Sequence, residues 1–323
     1  MKKLHVPYNF QIDVLDCYAE WADSIEDIYF PVPSEILTSA RPIIFPNNYK
    51  EQVHTILRWC KTHNVRAALL LNGAMDRLTD QEFDKLHVFL NKMVKEGLDV
   101  VVIANPYLIQ WVHNHWPQLT IRLSVLSLIN TKTKIIKAMN SLPIDEICLP
   151  PEMNRDLDLL RFIKQTYPNL KISVLASEIC RGACPYYYWH QVSCNSSSNE
   201  WKGHTLQYEE NKGQRNTTFS ALQIPFILPS ELDFYSQYID SFKIEGRQYS
   251  TDFLSTLIPH YALQVDPEYF QALIYSVCSE VDKDLKIPTL NTRWLQYRRN
   301  CKMICLPSCP FYEYCCLGKY NKV

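Results

Sequence analysis

Eight short apolar runs, separated by stretches of helical periodicity, set the limits on how this chain can fold. The runs are DIYFPV from Asp27, RAALLLN from Arg66, DVVVIAN from Asp99, TIRLSVL from Thr120, EICLPP from Glu146, KISVLAS from Lys171, LQIPFIL from Leu222 and SFKIEG from Ser241. Their length and β-branched content read as strands. Between them, YKEQVHTILRWCKTHN places Val53, Ile56, Leu57 and Cys60 on one helical face. DQEFDKLHVFLNKMVKEG does the same with Phe83, Leu86, Phe89, Leu90 and Met93, and its closing KEG reads as a stop. RDLDLLRFIKQTYPN and PSELDFYSQYID are two further helical stretches. Strands alternating with helices form a parallel sheet, and eight of them point to an α/β fold of the (β/α)8 TIM-like barrel type. An open doubly wound sheet is the alternative. Against it, no GxGxxG follows the first run, and the chain holds only seven glycines.

The 323 residues exceed a bare barrel of roughly 250. The expected division is a barrel over residues 1–265 and a helical, cysteine-rich extension over 266–323 packed on it. A net charge of −1 argues against broad electrostatic attraction to nucleic acid or an anionic membrane. The stretch MKKLHVPYNFQIDVLDC is basic but lacks the apolar core of about 7–15 residues that a signal peptide needs. No run approaches the roughly 20 apolar residues of a membrane helix. The expected location is the cytoplasm.

In a reducing compartment, twelve cysteines favour metal binding over disulfides. SEICRGACPYYYWHQVSC holds Cys180, Cys184 and Cys194, and NCKMICLPSCPFYEYCC holds Cys301, Cys305, Cys309, Cys315 and Cys316. Thiolates suit zinc and iron–sulfur clusters, and spacing alone leaves both open. A 4Fe–4S cluster takes four cysteines unless one iron stays open, so the loop trio is one short. The tail either supplies the missing ligand or forms a second site from Cys301, Cys305, Cys309 and Cys315. The isolated Cys17, Cys60, Cys148 and Cys278 read as small core residues.

The cysteine loop fills the longest gap between runs, Ser177 to Leu222, and follows the sixth run at the barrel end where active sites lie. Asn72, Asn105, Glu152 and Glu178 fall at comparable ends and are candidate substrate contacts, although Asn72 and Asn105 read equally well as turn residues. In the eighth run, Lys243, Glu245 and Arg247 alternate with Ile244 and Gly246 and would share one face of a strand. They form either an anion clamp or a buried salt-bridge network. His190 is a candidate proton donor. Tyr187, beside Tyr186, Tyr188 and Trp189, is a candidate stacking surface for a planar substrate. Arg41, in SARPIIFP, is a candidate anion contact.

PFILPSELDFYSQYIDSFKIEGRQYSTDFLSTLIPHY, residues 225–261, resembles the collagenase-like peptidase (U32-type) family, with KIEGR its most specific motif. SEICRGACPYYYWH looks like the start of that family's cysteine loop, and the cysteine tail like that of its short, single-barrel members. Better-characterised relatives look like iron–sulfur enzymes that hydroxylate aromatic rings without oxygen. Their substrates are ubiquinone precursors or RNA bases, and prephenate is the oxygen donor. The resemblance therefore implies a 4Fe–4S cluster held by Cys180, Cys184 and Cys194. The family's fourth cysteine, near the seventh strand, has no counterpart, since Ile227 and Leu228 stand in that region. A tail cysteine is the natural substitute. Lys243 and Arg247 would then hold a dicarboxylate such as prephenate, with Glu245 steadying them or accepting a proton. No appended RNA-binding module is evident, so a small molecule or peptide is favoured over RNA as the substrate. Two other readings stay open. One is a peptidase, against which stands the lack of HExxH and GxSxG. The other is a non-catalytic iron–sulfur subunit paired in a hetero- or homodimer.

Overall fold

A computed structural model of the chain describes residues 3–33, 35–37, 45–73, 78–178, 187, 222, 224–274, 284–303 and 306–316. Strands β1 (Lys3–Pro7), β2 (Ile25–Pro31), β3 (Arg66–Leu71), β4 (Val100–Ile103), β5 (Thr120–Leu123), β6 (Glu146–Cys148), β7 (Lys171–Leu175) and β8 (Ser241–Lys243) pair in parallel, each with the next. β1 closes the ring on β8. Around them run α1 (Val14–Ala19), α2 (Tyr49–Thr62), α3 (Asp80–Glu96), α4 (Pro106–His115), α5 (Lys132–Ser141), α6 (Leu157–Thr166), α7 (Leu232–Tyr235) and α8 (Thr251–Leu263). α9 (Thr292–Arg298) and α10 (Tyr312–Cys316) follow in the C-terminal segment. The fold is a (β/α)8 barrel. Among the described residues no helix is long and apolar enough to cross a membrane.

The helix faces follow the 3.6-residue period. α2 buries Val53, Ile56, Leu57 and Cys60, with Tyr49 added. α3 buries Leu86, Leu90 and Met93, while Phe83 and Phe89 stay half-buried at the rim of the same face. Thr79 and Glu82 cap its start reciprocally, and Gly97 ends it in the left-handed conformation at φ 106°.

Eight strands form, but not from the eight expected runs. Residues 224–228 of LQIPFIL form no strand. Pro225 and Pro229 remove ladder donors, and the carbonyls of this segment are taken by side chains instead. Asn154 donates to Pro225 at 2.8 Å, Arg298 to Phe226 at 2.5 Å and Tyr261 to Ile227 at 3.0 Å. The eighth position belongs to Lys3–Pro7, whose Leu4 and Val6 face the helices while His5 faces inward. The cysteine loop therefore follows β7, the seventh strand in this order, rather than the sixth.

Alternation along each strand sorts the barrel into two cores. Ile28, Phe30, Ala67, Leu69, Val101, Ile103, Ile121, Ile147, Ile172, Val174 and Phe242 join the helix-facing core. Their neighbours line the interior, where Tyr29, Ala68, Leu70, Val100 and Val102 form a separate apolar layer.

Below that layer the interior is charged. Arg122 donates to Asp27 at 2.5 Å and to Glu146 at 2.7 Å, and Arg66 reaches Glu146 at 2.8 Å. The His5 ring lies 2.8 Å from Asp27 and 2.6 Å from the Ser241 hydroxyl. Arg66, Glu146 and Ser241 open their strands, so this network is the barrel floor. The Arg122 guanidinium, ahead of His5, holds the Asp27 carboxyl far below the usual carboxylate range against desolvation. Burial is likewise the largest influence on Glu146, and Arg122 and Arg66 outweigh it to lower that group too. Burial, aided by Arg122, lowers His5.

Removing one partner of such a network leaves an uncompensated buried charge. Arg122→Met is expected to cost about 3–5 kcal/mol in urea unfolding; a loss under 1 kcal/mol would show the network to be dispensable. All three titrating groups have depressed folded values, so each takes up protons more readily unfolded, and stability falls as pH falls. The His5 contribution begins to drop below about pH 6.5 and the carboxylate contribution below about pH 4. Unfolding free energy measured from pH 8 to 3 should decline across both windows, and His5→Gln should flatten the upper one.

Candidate active site at the barrel mouth

The interior residues that follow the apolar layer bring chemistry to the C-terminal ends of the strands. Lys243, the last residue of β8, lies with its ammonium 4.5 Å above the Tyr29 ring. Tyr29 is fixed from its other end by donating to the Ile244 carbonyl at 2.8 Å. Burial pushes the Lys243 ammonium below its ordinary range; Cys148 and Glu245 oppose the shift, and Arg247 adds to it. Cys148, two residues above Glu146 on β6, is buried, and desolvation raises its thiol while Lys243 opposes.

β8 ends at Lys243, so a single strand face does not extend to Arg247. Gly246 turns the chain at φ +145°, and a Cβ built there would sit 2.5 Å from the Tyr249 ring. Glu245 is nonetheless held at the mouth, because its backbone N–H donates to the Ser177 hydroxyl at 2.8 Å. Ala176 donates to the Lys243 carbonyl at 2.8 Å, which continues the β7–β8 pairing. Ser177 and Glu178, both buried, are the described residues from which the cysteine loop departs.

Asn72 is buried above β3 and donates to Ser124 at 3.2 Å, while its carboxamide oxygen has no hydrogen-bond partner among the described residues. Asn105 differs: its oxygen accepts from the Tyr107 and Leu108 N–H groups as the N-cap of α4, so it is committed to the helix rather than to a substrate. Glu152 accepts from Asn130 at 3.2 Å, on the turn after β6. Tyr187 packs against Val125, Leu126, Cys148 and Leu175, over the mouth.

Cys180, Cys184, Cys194, His190, Arg41 and Cys305 lie outside the described residues. Cys301, Cys309 and Cys315 line a cavity of about 450 Å³ away from Lys243, together with Arg155, Leu222 and Trp294. Among the described residues, no three His, Cys, Asp or Glu side chains are grouped to hold a single metal ion. The described cysteines Cys17, Cys60, Cys148, Cys301, Cys309 and Cys315 are free thiols. Cys148 is buried, as expected of an isolated cysteine, in a cluster with Val125, Leu126 and Leu175. Its position two residues beyond the inward Glu146 was the signal that it faces the interior.

The family model for Peptidase family U32 matches residues 16–286. The chain belongs to Peptidase family U32. It is similar to an uncharacterized protease of Methanocaldococcus jannaschii, 24% identical over 243 residues that cover 73% of this chain and 71% of the relative. The solved structure of a U32 peptidase superposes with a TM-score of 0.54 at 15% identity, covering 76% of this chain and 94% of that one. At that identity the likeness confirms the barrel architecture.

The Gly246 turn sets where Glu245 and Arg247 sit relative to Lys243. Gly246→Ala combines a left-handed φ with a clash against Tyr249 and is expected to destabilise by about 1–3 kcal/mol. Thermal unfolding checks this, and an unchanged midpoint would mean that the turn tolerates a side chain.

Proposed function

We propose that this U32 family member is an iron–sulfur barrel enzyme for an oxygen-independent hydroxylation, with a small molecule or peptide as substrate and a dicarboxylate such as prephenate as oxygen donor. The observation that carries the reading is the seat of Tyr187. This residue stands three positions beyond Cys184 and packs on Val125, Leu126, Cys148 and Leu175. At the loop's other end, Cys180 follows the buried Glu178 by two residues, a span of no more than about 7 Å of chain. Glu178, which precedes Cys180, and Tyr187, which follows Cys184, are the described residues on which this reading rests.

The residues fit such a group. Three thiolates are the donors an iron–sulfur cluster takes, with one iron left open for a further ligand. When bound, the cluster supplies electron transfer and that open coordination position. The rest falls to the chain. Lys243 and Arg247 bind carboxylates, and an anion beside the desolvated Lys243 ammonium opposes the downward shift of that group. Glu245 is placed to move a proton. The Asn72 oxygen accepts a hydrogen bond from a substrate hydroxyl or amide. Tyr187, Val125, Leu126 and Leu175 exclude water and offer an apolar face to a ring.

Anaerobically purified protein should absorb near about 400 nm and contain iron and sulfide. Changing Cys180, Cys184 and Cys194 to serine should lower the iron content and abolish hydroxylation. Lys243→Met should weaken prephenate binding by about tenfold or more, the worth of one charge-assisted hydrogen bond. Colourless protein loaded with zinc would sink the reading, as would peptide hydrolysis by the iron-free protein, which would favour the activity that its relatives' names carry.

A further inference from the structure

The cavity of about 450 Å³ in the C-terminal segment lies away from Lys243, and its wall includes Arg155, on the turn between β6 and α6. Arg155 is 3% exposed. One Nη donates to the Ile224 carbonyl at 3.4 Å, and its Nε has no hydrogen-bond partner among the described residues. Burial, and after it the neighbouring Arg298, push this guanidinium below its ordinary range, while Tyr235, Cys301 and Glu231 oppose the shift. A guanidinium at that depth is costly without a counter-charge.

The other polar groups of the wall are spent on partners of their own. Arg298 gives one Nη to Glu231 at 2.7 Å and the other to the Phe226 carbonyl at 2.5 Å. Lys302 lies 3.0 Å from Asp158 and 3.5 Å from Asp156. The Trp294 indole N–H donates to Cys315 Sγ at 2.8 Å, and the Tyr297 hydroxyl lies 3.8 Å from Cys309 Sγ. Two buried arginines, Arg155 and Arg298, thus share one buried carboxylate, Glu231, which the exposed Arg299 also approaches at 3.9 Å. Among the described residues this interior keeps one positive charge without an anion. The rest of the wall is apolar and aromatic, with Trp294, Tyr297 and Phe311 in it, and the Tyr297 and Phe311 rings lie 5.0 Å apart. Asn300 and Lys302 also line the cavity and are exposed, so it opens to solvent.

We propose that this cavity binds a small aromatic monocarboxylate, with its carboxylate on Arg155 and its ring against Trp294, Tyr297 and Phe311. Small-molecule sites are of this kind, an apolar lining of about 300–1,000 Å³ with a few polar groups that fix the ligand's orientation. The guanidinium offers Nε and an Nη as parallel donors, the fork that a carboxylate accepts with both oxygens. Charge selects the ligand class. One negative charge matches the surplus of one positive charge, whereas a dicarboxylate or a phosphate dianion overshoots it and leaves a buried anion unanswered. The aromatic walls select the body, since a flat ring packs on such side chains face or edge. The ligand therefore differs from the dicarboxylate proposed at Lys243.

The test is isothermal titration calorimetry on the full chain with benzoate, phenylacetate and indole-3-acetate as probes. The neutral amide of each acid and inorganic phosphate serve as comparators. At least one of the acids is expected to bind, its amide about tenfold or more weaker, and phosphate should not displace it. Arg155→Met keeps the side-chain stem and should weaken the acid by about tenfold or more, with Arg155→Lys, which keeps the charge but not the fork, in between. Lys243→Met should leave this binding unchanged. Without ligand, Arg155→Met should unfold at the parent's temperature or above it, because the substitution removes an unanswered buried charge. A lower midpoint, or a variant that does not fold, makes Arg155 a structural cation and overturns the proposal. Failure of all three acids to bind overturns it too, as does an amide that binds as well as its acid. Displacement by phosphate assigns a general anion site and overturns the monocarboxylate. If Lys243→Met abolishes binding and Arg155→Met keeps it, the acid sits at the barrel mouth; the cavity proposal then falls while the reading of the mouth stands.

Discussion

Two carboxylates, Asp27 and Glu146, share the Arg122 guanidinium inside the barrel, out of reach of water. The positions of many other groups depend on that arrangement. Desolvated charges tolerate little misplacement, because an unpaired one costs several kcal/mol. The pairing engages β2, β5 and β6 directly, β3 through Arg66, and β1 and β8 through His5 and Ser241. A one-residue slip of any of these strands would turn its inward charge toward the apolar helix layer. The floor thus selects one stagger of the sheet. The stagger in turn places Lys243, Glu245, Cys148 and Asn72 at the opposite end.

The interior therefore runs from charge, through an apolar layer, to polar chemistry. Asp27 and Tyr29 on β2, Glu146 and Cys148 on β6, and Ser241 and Lys243 on β8 are successive inward residues of their strands. This polarity agrees with the general division of such barrels, in which one end serves stability and the other catalysis. The apolar layer keeps water from joining the two ends. It also contributes to the desolvation of the Lys243 ammonium at the C-terminal end of β8.

Among the described residues, Arg298 is the most deeply buried of the basic side chains that join the C-terminal segment to the barrel; Arg299 and Lys302 add ion pairs to Glu231 and to Asp156 and Asp158. Arg298 bonds Glu231 and the Phe226 carbonyl and lies 4.0 Å over the Phe226 ring. The Tyr235 hydroxyl adds a bond to the Arg299 carbonyl at 3.0 Å. The Glu231 and Tyr235 contacts fall on a helical stretch, and the Phe226 contacts on the LQIPFIL run before it, which sequence pattern alone reads as a strand. Pro225 and Pro229 free that run from the sheet, and its carbonyls become the docking points for Asn154, Tyr261 and Arg298.

What could be read from the sequence was whatever depends on neighbours a few residues apart. The faces of α2 and α3, the Gly97 stop, the alternation of strand and helix and the density of thiols are all of this kind. Even LQIPFIL was misread for a local reason, since composition marks it as a strand and only its prolines speak against it. KLHVP escaped notice because five residues carry too little pattern. The floor was invisible for another reason. Asp27, Arg66, Arg122 and Glu146 stand in plain view inside apolar runs, but their pairing joins positions 95 residues apart, and His5 meets Ser241 across 236. Pro106 directly after Asn105 was a local sign of the helix cap on which that side chain is spent, whereas nothing local marks the open oxygen of Asn72 above β3. By itself the sequence determined the elements and the chemistry in stock. Closure and stagger of the barrel decided which side chains meet, because electrostatic and hydrogen-bond partners are set by distance in space, which periodicity along the chain does not encode.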